Sequence, residues 1–267
     1  MTKKIVLFDK IYTLTERDSE KKRRDVFARY SKYMKENIKG FSNTYVKIHK
    51  LRKFDNRFEI NINGPEELFV SNILSKEIGT IHEFKDIEVG YEYKGTMVDV
   101  GKVGFGIFVD CAILNPKIDV LISLHKLREQ LCDGKELSLK EIIAAYNFIA
   151  HFPVMVKITK LDKVKDKIQG EFTKEYLNLY IKLVDENLDG IFVSGATKNQ
   201  FKKALIRKGH LRDIVSIKRY GYLEHIVILK EGTEAPGIIA RIGNYLRNCK
   251  LSAVRHNRIK NLIGNSL

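Results

Sequence analysis

The sequence predicts a multidomain α+β protein in which a central five-stranded barrel is flanked by two α+β domains. The two flanking stretches each show the element order βαββαβ, which is compatible with a ferredoxin-like fold. Between them, residues 89–173 show short strands with glycines at the places where a small barrel must bend. The chain length agrees, because 267 residues suit two or three domains.

The first domain is expected at residues 1–88. Thr15 and Asp18 have the pattern of a capping box, so the first helix is expected to begin there. The segment 57–63 alternates apolar and polar residues, as a half-buried strand does. The elements expected in order are a strand at 5–12, a helix ending at Gly40, strands at 44–51 and 57–63, a helix from Pro65 to Gly79, and a strand at 81–84.

The central domain is expected at residues 89–173. Phe105 and Phe108 lie three residues apart in its glycine-rich second strand. The elements expected are strands at 91–100, 104–112, 118–124, 154–161 and 166–172, with a helical passage at 125–150. Five strands with a helix between the third and the fourth is the order of an OB-fold.

The third domain is expected at residues 174–267. The elements expected are a helix at 174–186, a strand at 190–194, a helix from Thr197 to Gly209, a hairpin at 213–220 and 222–229, a helix capped by Thr233, and a strand at 251–254. No acidic residue follows Glu234, and the last stretch of this acid-free segment, residues 255–267, is either a further basic surface or a disordered end.

Charge indicates the kind of partner. The net charge is +15, from 48 basic and 33 acidic residues, and such an excess favours a polyanion. The alternative is a general enrichment of surface lysine. The excess is uneven, because residues 174–267 carry +9 and residues 89–173 carry only +1. The sequence therefore predicts that the third domain attracts nucleic acid or a ribonucleoprotein by its charge, while bases stack on the barrel.

Three stretches of the central domain resemble an S1-type RNA-binding domain: 94–98 (KGTMV), 103–109 (VGFGIFV) and 120–127 (VLISLHKL). The third stretch departs from that pattern, since Ser123 stands where the family often has histidine and His125 follows two positions later. The resemblance covers about a third of the chain. It implies an OB barrel that binds RNA by stacking bases on aromatic rings.

The whole chain also resembles an uncharacterised archaeal family with a central S1-like domain. The stretches that carry this resemblance are 194–197 (SGAT), 209–214 (GHLRDI), 221–225 (GYLEH) and 232–237 (GTEAPG). Through the barrel, this resemblance implies a role in RNA metabolism or translation. Because the longest apolar runs are far too short to cross a bilayer, we expect a cytoplasmic protein.

The candidate RNA-binding residues fall into two groups. Phe105 and Phe108 are expected to form a stacking platform, although barrel core is the alternative for both. The expected RNA contacts beside them are Lys94, Lys102, His125 and Lys126. The expected contacts in the third domain are Lys198, Lys202, Lys203, Arg207, Lys208, Arg212, Lys218 and Arg219.

No residue pattern indicates an enzyme, a metal site or a cofactor. Cys111, Cys132 and Cys249 are far apart and form no CxxC pair, and the histidines show no metal-binding spacing. The turns at 195–197 and 232–237 precede helices and could hold a phosphate, but ordinary capped turns are the better explanation. The sequence thus predicts a non-catalytic RNA-binding protein, with a protein-interaction subunit of a ribosome, exosome or RNA polymerase as the alternative.

Overall fold

The computed structural model describes residues 2–15, 17–246 and 248–264. Contacts between Cα atoms divide the chain into two compact units, Met1–His82 and Glu83–Leu267. The first unit thus ends a few residues before the predicted boundary at residue 88. Phe84 and Ile87, which follow it, are buried in the core of the barrel.

The first unit has the predicted ferredoxin-like order. Its three-stranded antiparallel sheet has the order β1-β3-β2, and a bridge from Leu7 to Thr80 adds the end of the unit on the other side of β1. The apolar faces of both helices and the sheet supply its core, including Tyr30, Phe58 and Leu74. The elements are β1 (Thr2–Lys10), α1 (Glu20–Asn37), β2 (Tyr45–Leu51), β3 (Arg57–Asn63) and α2 (Glu67–Glu77). The strand predicted at 81–84 is the two-residue β4 (His82–Glu83), which belongs to the sheet of the barrel and not to this one.

Helix α1 begins later than predicted. Its N-cap is Ser19, whose hydroxyl accepts a hydrogen bond from the backbone of Lys22 at 3.3 Å. The backbone N–H of Thr15 does donate to the Asp18 carboxylate at 2.7 Å, as a capping pair would. An N-cap residue has an extended backbone and directly precedes the first helical turn, and Ser19 is the residue that meets both conditions. The Thr15–Asp18 pair therefore closes a turn that comes before the helix.

The second unit begins with a closed five-stranded barrel, as predicted. Strand β6 pairs with both β5 and β7, while β8 joins β5 to β9 and β9 runs parallel to β7. This closure is the topology of an OB-fold. The expected helical passage consists of two short helices. The elements are β5 (Glu92–Val98), β6 (Gly106–Leu114), β7 (Ile118–Ser123), α3 (Leu124–Leu131), α4 (Leu139–Tyr146), β8 (Pro153–Asp162) and β9 (Lys167–Phe172).

Alternation along the barrel strands separates an apolar interior from a more polar exterior. Ile107, Val109 and Cys111 on β6 are at most 1% exposed, so Cys111 is a core residue as expected. Gly95 faces the same interior, where an added Cβ would lie 2.3 Å from Val109 Cγ1. Glycine is therefore required at that position by the close approach of two strands.

The rest of the second unit is again ferredoxin-like. Its four-stranded antiparallel sheet has the order β11-β12-β10-β13, the arrangement expected from βαββαβ. The residue before helix α7 is Glu234, so Thr233 is not the cap that was predicted. The elements are α5 (Lys174–Asp185), β10 (Gly190–Ser194), α6 (Lys198–Arg207), β11 (Ile214–Arg219), β12 (Glu224–Leu229), α7 (Ala235–Ile242), β13 (Lys250–Val254) and α8 (His256–Ile263).

The acid-free end of the chain is folded in the described residues 235–246 and 248–264. Helix α8 places Ile259 in the core, where this residue is fully buried. The end of α4 is bonded to β13, because Asn147 Nδ2 donates to the Ala253 carbonyl and Ser252 Oγ donates to the Asn147 carbonyl. The described basic residues of this segment therefore belong to the folded part of the chain.

Candidate nucleic-acid interface

Phe105 and Phe108 form an aromatic pair on the exterior of the barrel. Their ring centroids are 5.9 Å apart and the rings are nearly perpendicular, at 89°. The Phe105 side chain is 56% exposed, whereas Phe108 is half-buried. Since the rings meet edge to face, Phe105 presents the more open surface on which a planar group could stack.

The backbone explains why two residues three positions apart share one side of the barrel. Strand β6 begins at Gly106, so Phe105 lies in the preceding loop and does not follow the alternation of the strand. The backbone N–H of Leu124 donates to the Phe105 carbonyl at 2.8 Å and fixes that loop to the start of α3. An added Cβ at Gly106 would lie 2.4 Å from the Ile122 carbonyl, which explains the glycine between the loop and the strand.

Phe108 lies in a row of exterior side chains that crosses four strands. It is paired with Val98 on β5 and with Leu121 on β7. Leu121 is in turn paired with Gln169 on β9. Val98 and Leu121, each about 4.8 Å from the Phe108 strand, extend the apolar surface sideways from the aromatic pair, and the polar Gln169 ends the row.

The predicted barrel cations beside the aromatic pair are neutralised by neighbouring carboxylates. Lys102 Nζ donates to Asp99 Oδ1 at 2.6 Å, and this hydrogen bond lowers the pKa of the Asp99 carboxyl. Lys126 Nζ lies 2.8 Å from Glu129 Oε2 and 3.3 Å from Glu171 Oε2. The hydrogen bond to Glu129, with a smaller contribution from Glu171, raises the pKa of Lys126.

The other two predicted contacts of the barrel differ in position. His125 is exposed in the first turn of α3, directly after the residue that is bonded to Phe105. Lys94 lies on the exterior face of β5, four residues before Val98. That spacing puts it about 13 Å along the strand from the partner of Phe108. The backbone of His125 therefore lies next to the Phe105 loop, whereas Lys94 lies further along the barrel.

An open groove of about 480 Å³ beside Phe108 is acidic. Asp99, Asp119 and Asp166 line it, with Lys117 as its basic residue among the described lining residues. Carboxylates repel phosphate at short range. The barrel therefore offers rings for stacking, while this side of it disfavours a phosphate backbone.

Helix α6 carries the most basic surface of the second unit. It buries Phe201, Ala204 and Leu205 against the sheet and turns its other side to solvent. Lys198 in its first turn is half-buried, and the remaining basic residues of this surface are exposed. They are Lys202, Lys203, Arg207 and Lys208, with Arg212 in the turn that follows.

The sheet divides the predicted basic residues between two sides. On β11, Lys218 opposes Ile226 and lines a groove with Leu183 of α5, on the side that faces the barrel. Arg219 opposes His225, on the side covered by α6 and α7. The four-stranded sheet therefore stands between the basic face of α6 and the barrel.

The turns before α6 and α7 are ordinary helix starts. At α6 the amides of Gly195 and Ala196 donate to the Leu223 carbonyl, and Thr197 forms a full capping box with Gln200. At α7 the buried carboxylate of Asp189 accepts the backbone N–H of Ala235 at 3.1 Å. A phosphate would have to displace these partners, so the capped-turn interpretation holds.

The sequence interpretation missed Tyr245. This residue lies in a single turn after α7, and its ring is flanked by two cations at the end of α6. Arg207 Cζ is 5.6 Å and Lys208 Nζ is 5.4 Å from the centroid of the ring. The sequence offered one signal for this site, a lone tyrosine in an acid-free segment. That signal does not reveal that the end of α6 lies beside the tyrosine.

Neither a metal cluster nor a membrane-spanning helix is found in the described part of the chain. Within residues 2–15, 17–246 and 248–264, no three His, Cys, Asp or Glu side chains are grouped so that they could hold a metal ion. None of the helices in those ranges has the length and apolarity that a membrane span requires.

Two models of one protein family match the second unit. The DUF2110 central domain matches residues 87–183, and the DUF2110 C-terminal domain matches residues 188–254. The first match covers the barrel with α5, and the second covers the sheet with α6 and α7. None of the curated proteins compared with the chain matches it significantly.

Solved structures with local similarity come from several organisms. An uncharacterized protein from Methanocaldococcus jannaschii is 19% identical, with a TM-score of 0.23, over 33% of this chain and 96% of that one. GSP13 from Bacillus subtilis is 20% identical, with a TM-score of 0.23, over 33% of this chain and 56% of that one. The alpha subunit of aIF2 from Pyrococcus abyssi is 9% identical, with a TM-score of 0.24, over 63% of this chain and 97% of that one. Scores this low carry no argument about fold or function.

Proposed function

We propose that this chain, whose central and C-terminal parts match the DUF2110 family, is a non-catalytic RNA-binding protein. The observation that carries the proposal is the aromatic pair of Phe105 and Phe108 on the exterior of a closed OB-type barrel. An exposed ring beside an apolar row is a platform for an unstacked base, because every base has a π-face. The resemblance of the same strands to S1-type domains favours RNA.

Single-stranded RNA, or the unpaired loops of a structured RNA, is the substrate that this site favours. Bases within a duplex are stacked on each other, so their faces are not open to an aromatic side chain. The acidic groove beside Phe108 also disfavours the two phosphate backbones that a duplex would bring. In RNA metabolism or translation, the protein would hold an accessible strand by its bases at the barrel.

Phosphate attraction then comes from the basic face of α6. Lysine and arginine contacts to phosphates supply much of the affinity for nucleic acid and no sequence preference. Lys202, Lys203 and Arg207 are exposed and make no ion pair within the described residues. The barrel cations are held by Asp99, Glu129 and Glu171, so they contribute less to phosphate binding.

The experiment is a titration of the full chain with labelled single-stranded oligouridylate, oligodeoxythymidylate and an RNA duplex at several salt concentrations. We expect tighter binding of the single strand than of the duplex, and a linear fall of log K with log salt. Absence of binding to single-stranded RNA at low salt would overturn the proposal. Association with a cellular machine that survives nuclease treatment, without any affinity for free RNA, would favour the protein-interaction alternative.

A further inference from the structure

The geometry around Tyr245 points to a second stacking site, and we infer that it binds a separate nucleotide of the same class of nucleic acid. We use the name Tyr245 surface for Tyr245, Arg207 and Lys208; Arg241 contacts His210, two residues after Lys208. The inference rests on the proposed function and adds a binding site to it. The barrel rings and the Tyr245 surface then form two independent contacts with single-stranded nucleic acid.

The Tyr245 ring is partly exposed, and two cations lie over it. The side chain is 46% exposed, and the charged ends of Arg207 and Lys208 both lie within 6 Å of the ring centroid. A nucleotide has a flat apolar base and a phosphate a few ångströms away. A tyrosine ring beside two cations can satisfy both parts, by stacking and by ion pairing.

The cations of this surface have few competing partners. Neither Arg207 nor Lys208 forms an ion pair with any carboxylate in the parts of the chain that the structure describes. The exposed Arg241 has its NH1 group 3.5 Å from His210 Nε2. The nearby carboxylate of Asp213 is engaged, because it lies 2.7 Å from His210 Nδ1. A phosphate therefore meets positive charge here without displacing an ion pair of Arg207 or Lys208.

The Tyr245 surface and the Phe105–Phe108 pair lie on different sides of the second unit. Leu246, the residue after Tyr245, packs in the core formed by α6, α7 and one face of the sheet. The other face of the sheet, through Phe192 and Ile226, packs in the core of the barrel. With a β-sheet between them, the two stacking sites cannot hold adjacent bases of one short oligonucleotide.

An acidic peptide is the main competing occupant of a basic surface. A peptide carboxylate would use the same cations but would leave the exposed part of the ring without a planar partner. The exposed ring at the centre of the surface therefore favours a nucleotide. The choice is testable, because a base and a carboxylate depend differently on Tyr245.

The test is the stoichiometry of a hexanucleotide, oligouridylate, measured on the full chain by isothermal titration calorimetry. We expect two oligonucleotides per wild-type chain, and for Tyr245→Ala one oligonucleotide bound with wild-type affinity and a second bound more weakly. Tyr245→Phe keeps the ring and should keep both sites. Tyr91→Ala, at a tyrosine that is 61% exposed on the barrel unit, is the matched control and should also keep both. The affinity of the second site should fall about 5- to 150-fold when its ring is removed.

The double variant Phe105→Ala, Phe108→Ala separates the proposed function at the barrel from the inferred site at the Tyr245 surface. If one site of wild-type affinity remains in this variant and weakens on adding Tyr245→Ala, the inference is supported. One oligonucleotide per wild-type chain, unaffected by Tyr245→Ala, would overturn the inference and leave the proposed function standing. Absence of binding to every chain would remove the proposed function itself. Binding of oligoglutamate that competes at the Tyr245 surface, without loss in Tyr245→Ala, would assign the surface to acidic peptides and overturn the inference.

Discussion

Phe152 of the barrel stacks on Phe192 of the C-terminal sheet, with the ring centroids 4.0 Å apart and 14° between the ring planes. Both side chains are at most 1% exposed. Phe152 precedes strand β8 and Phe192 lies in the middle of β10. The stacked pair therefore belongs at once to the barrel and to the ferredoxin-like part, and the two share one hydrophobic core.

The first prediction concerns the cooperativity of this shared core. Phe152→Ala or Phe192→Ala should lower the free energy of unfolding by about 3–5 kcal/mol, because each leaves a cavity where two elements meet. Residues 83–267 should lose their structure in one transition, not as a barrel and a separate domain. Urea unfolding followed by circular dichroism and by tyrosine fluorescence measures both quantities.

Phe69→Ala is the matched control for that experiment. Phe69 lies on α2 of the first unit and is 67% exposed, so its removal should change stability by less than about 0.5 kcal/mol. If Phe192→Ala unfolds the C-terminal sheet while the barrel keeps its own transition, the cores are independent and the prediction is wrong.

The second prediction separates stacking from charge at the barrel. Phe105→Ala should weaken the binding of single-stranded RNA about 5- to 150-fold, because one base loses its aromatic partner. The slope of log K against log salt should stay the same, since no phosphate contact is removed. Fluorescence anisotropy at several salt concentrations measures both values, with Phe69→Ala as the matched exposed phenylalanine.

A fall in the salt slope for Phe105→Ala would contradict that assignment, because it would mean that the loop around Phe105 positions a phosphate contact. Loss of the fold would be a different outcome, and it is not expected at a side chain that is 56% exposed. A thermal unfolding curve of each variant distinguishes weaker binding from unfolding.

The third prediction concerns the basic face of α6. Lys202→Gln, Lys203→Gln and Arg207→Gln together should lower the salt slope by about 0.7 for every phosphate of a single strand that these side chains neutralise. Binding should weaken to a similar degree for different RNA sequences, because phosphate contacts do not read bases. The matched control is Lys32→Gln, Lys35→Gln and Lys39→Gln, three exposed lysines of the first unit. Equal effects of the two triple variants would assign the attraction to net charge alone.

The spacing of apolar residues and glycines along the chain was enough to predict the folds of the first unit, of the barrel and of the sheet that follows the barrel. Alternation in residues 57–63 and the glycines of the central strands are local signals, and strand pairing follows from them once each apolar face has to be buried. The start of α1 shows the limit of such signals. Thr15 with Asp18 and Ser19 with Lys22 both form cap-like hydrogen bonds, and only the path of the backbone selects the second.

The candidate site was only partly predictable, because it depends on contacts between distant parts of the chain. Phe105 and Phe108 are close in sequence, so their pairing could be expected. The neutralisation of Lys126 by Glu171 joins α3 to β9, and no local pattern contains it. The position of Tyr245 beside Arg207 likewise depends on how α6 and α7 pack on the sheet.

The fourth prediction is a pH dependence of stability that originates at His225. This side chain is fully buried on β12, and its Nε2 donates to the Ala196 carbonyl at 3.0 Å. Its Nδ1 has no hydrogen-bond partner within the described residues. Burial, with a smaller effect from the nearby charge of Arg219, lowers the pKa of His225 from 6.5 to about 3.

Between those two pKa values the unfolded chain binds a proton at His225 that the folded chain does not bind. Unfolding is therefore favoured as the pH falls below 6.5, by up to about 1.4 kcal/mol for each pH unit, while above 6.5 this group has no effect.

The His225→Gln variant keeps a donor for the Ala196 carbonyl but cannot take up that proton. The stability of wild type relative to His225→Gln should be constant above about pH 7 and should decline towards about pH 4. Urea unfolding at a series of pH values measures this difference, and His125→Gln, at an exposed position on α3, serves as the control. A difference that does not change with pH would mean that His225 has the same pKa in the folded and the unfolded chain, and it would contradict the prediction.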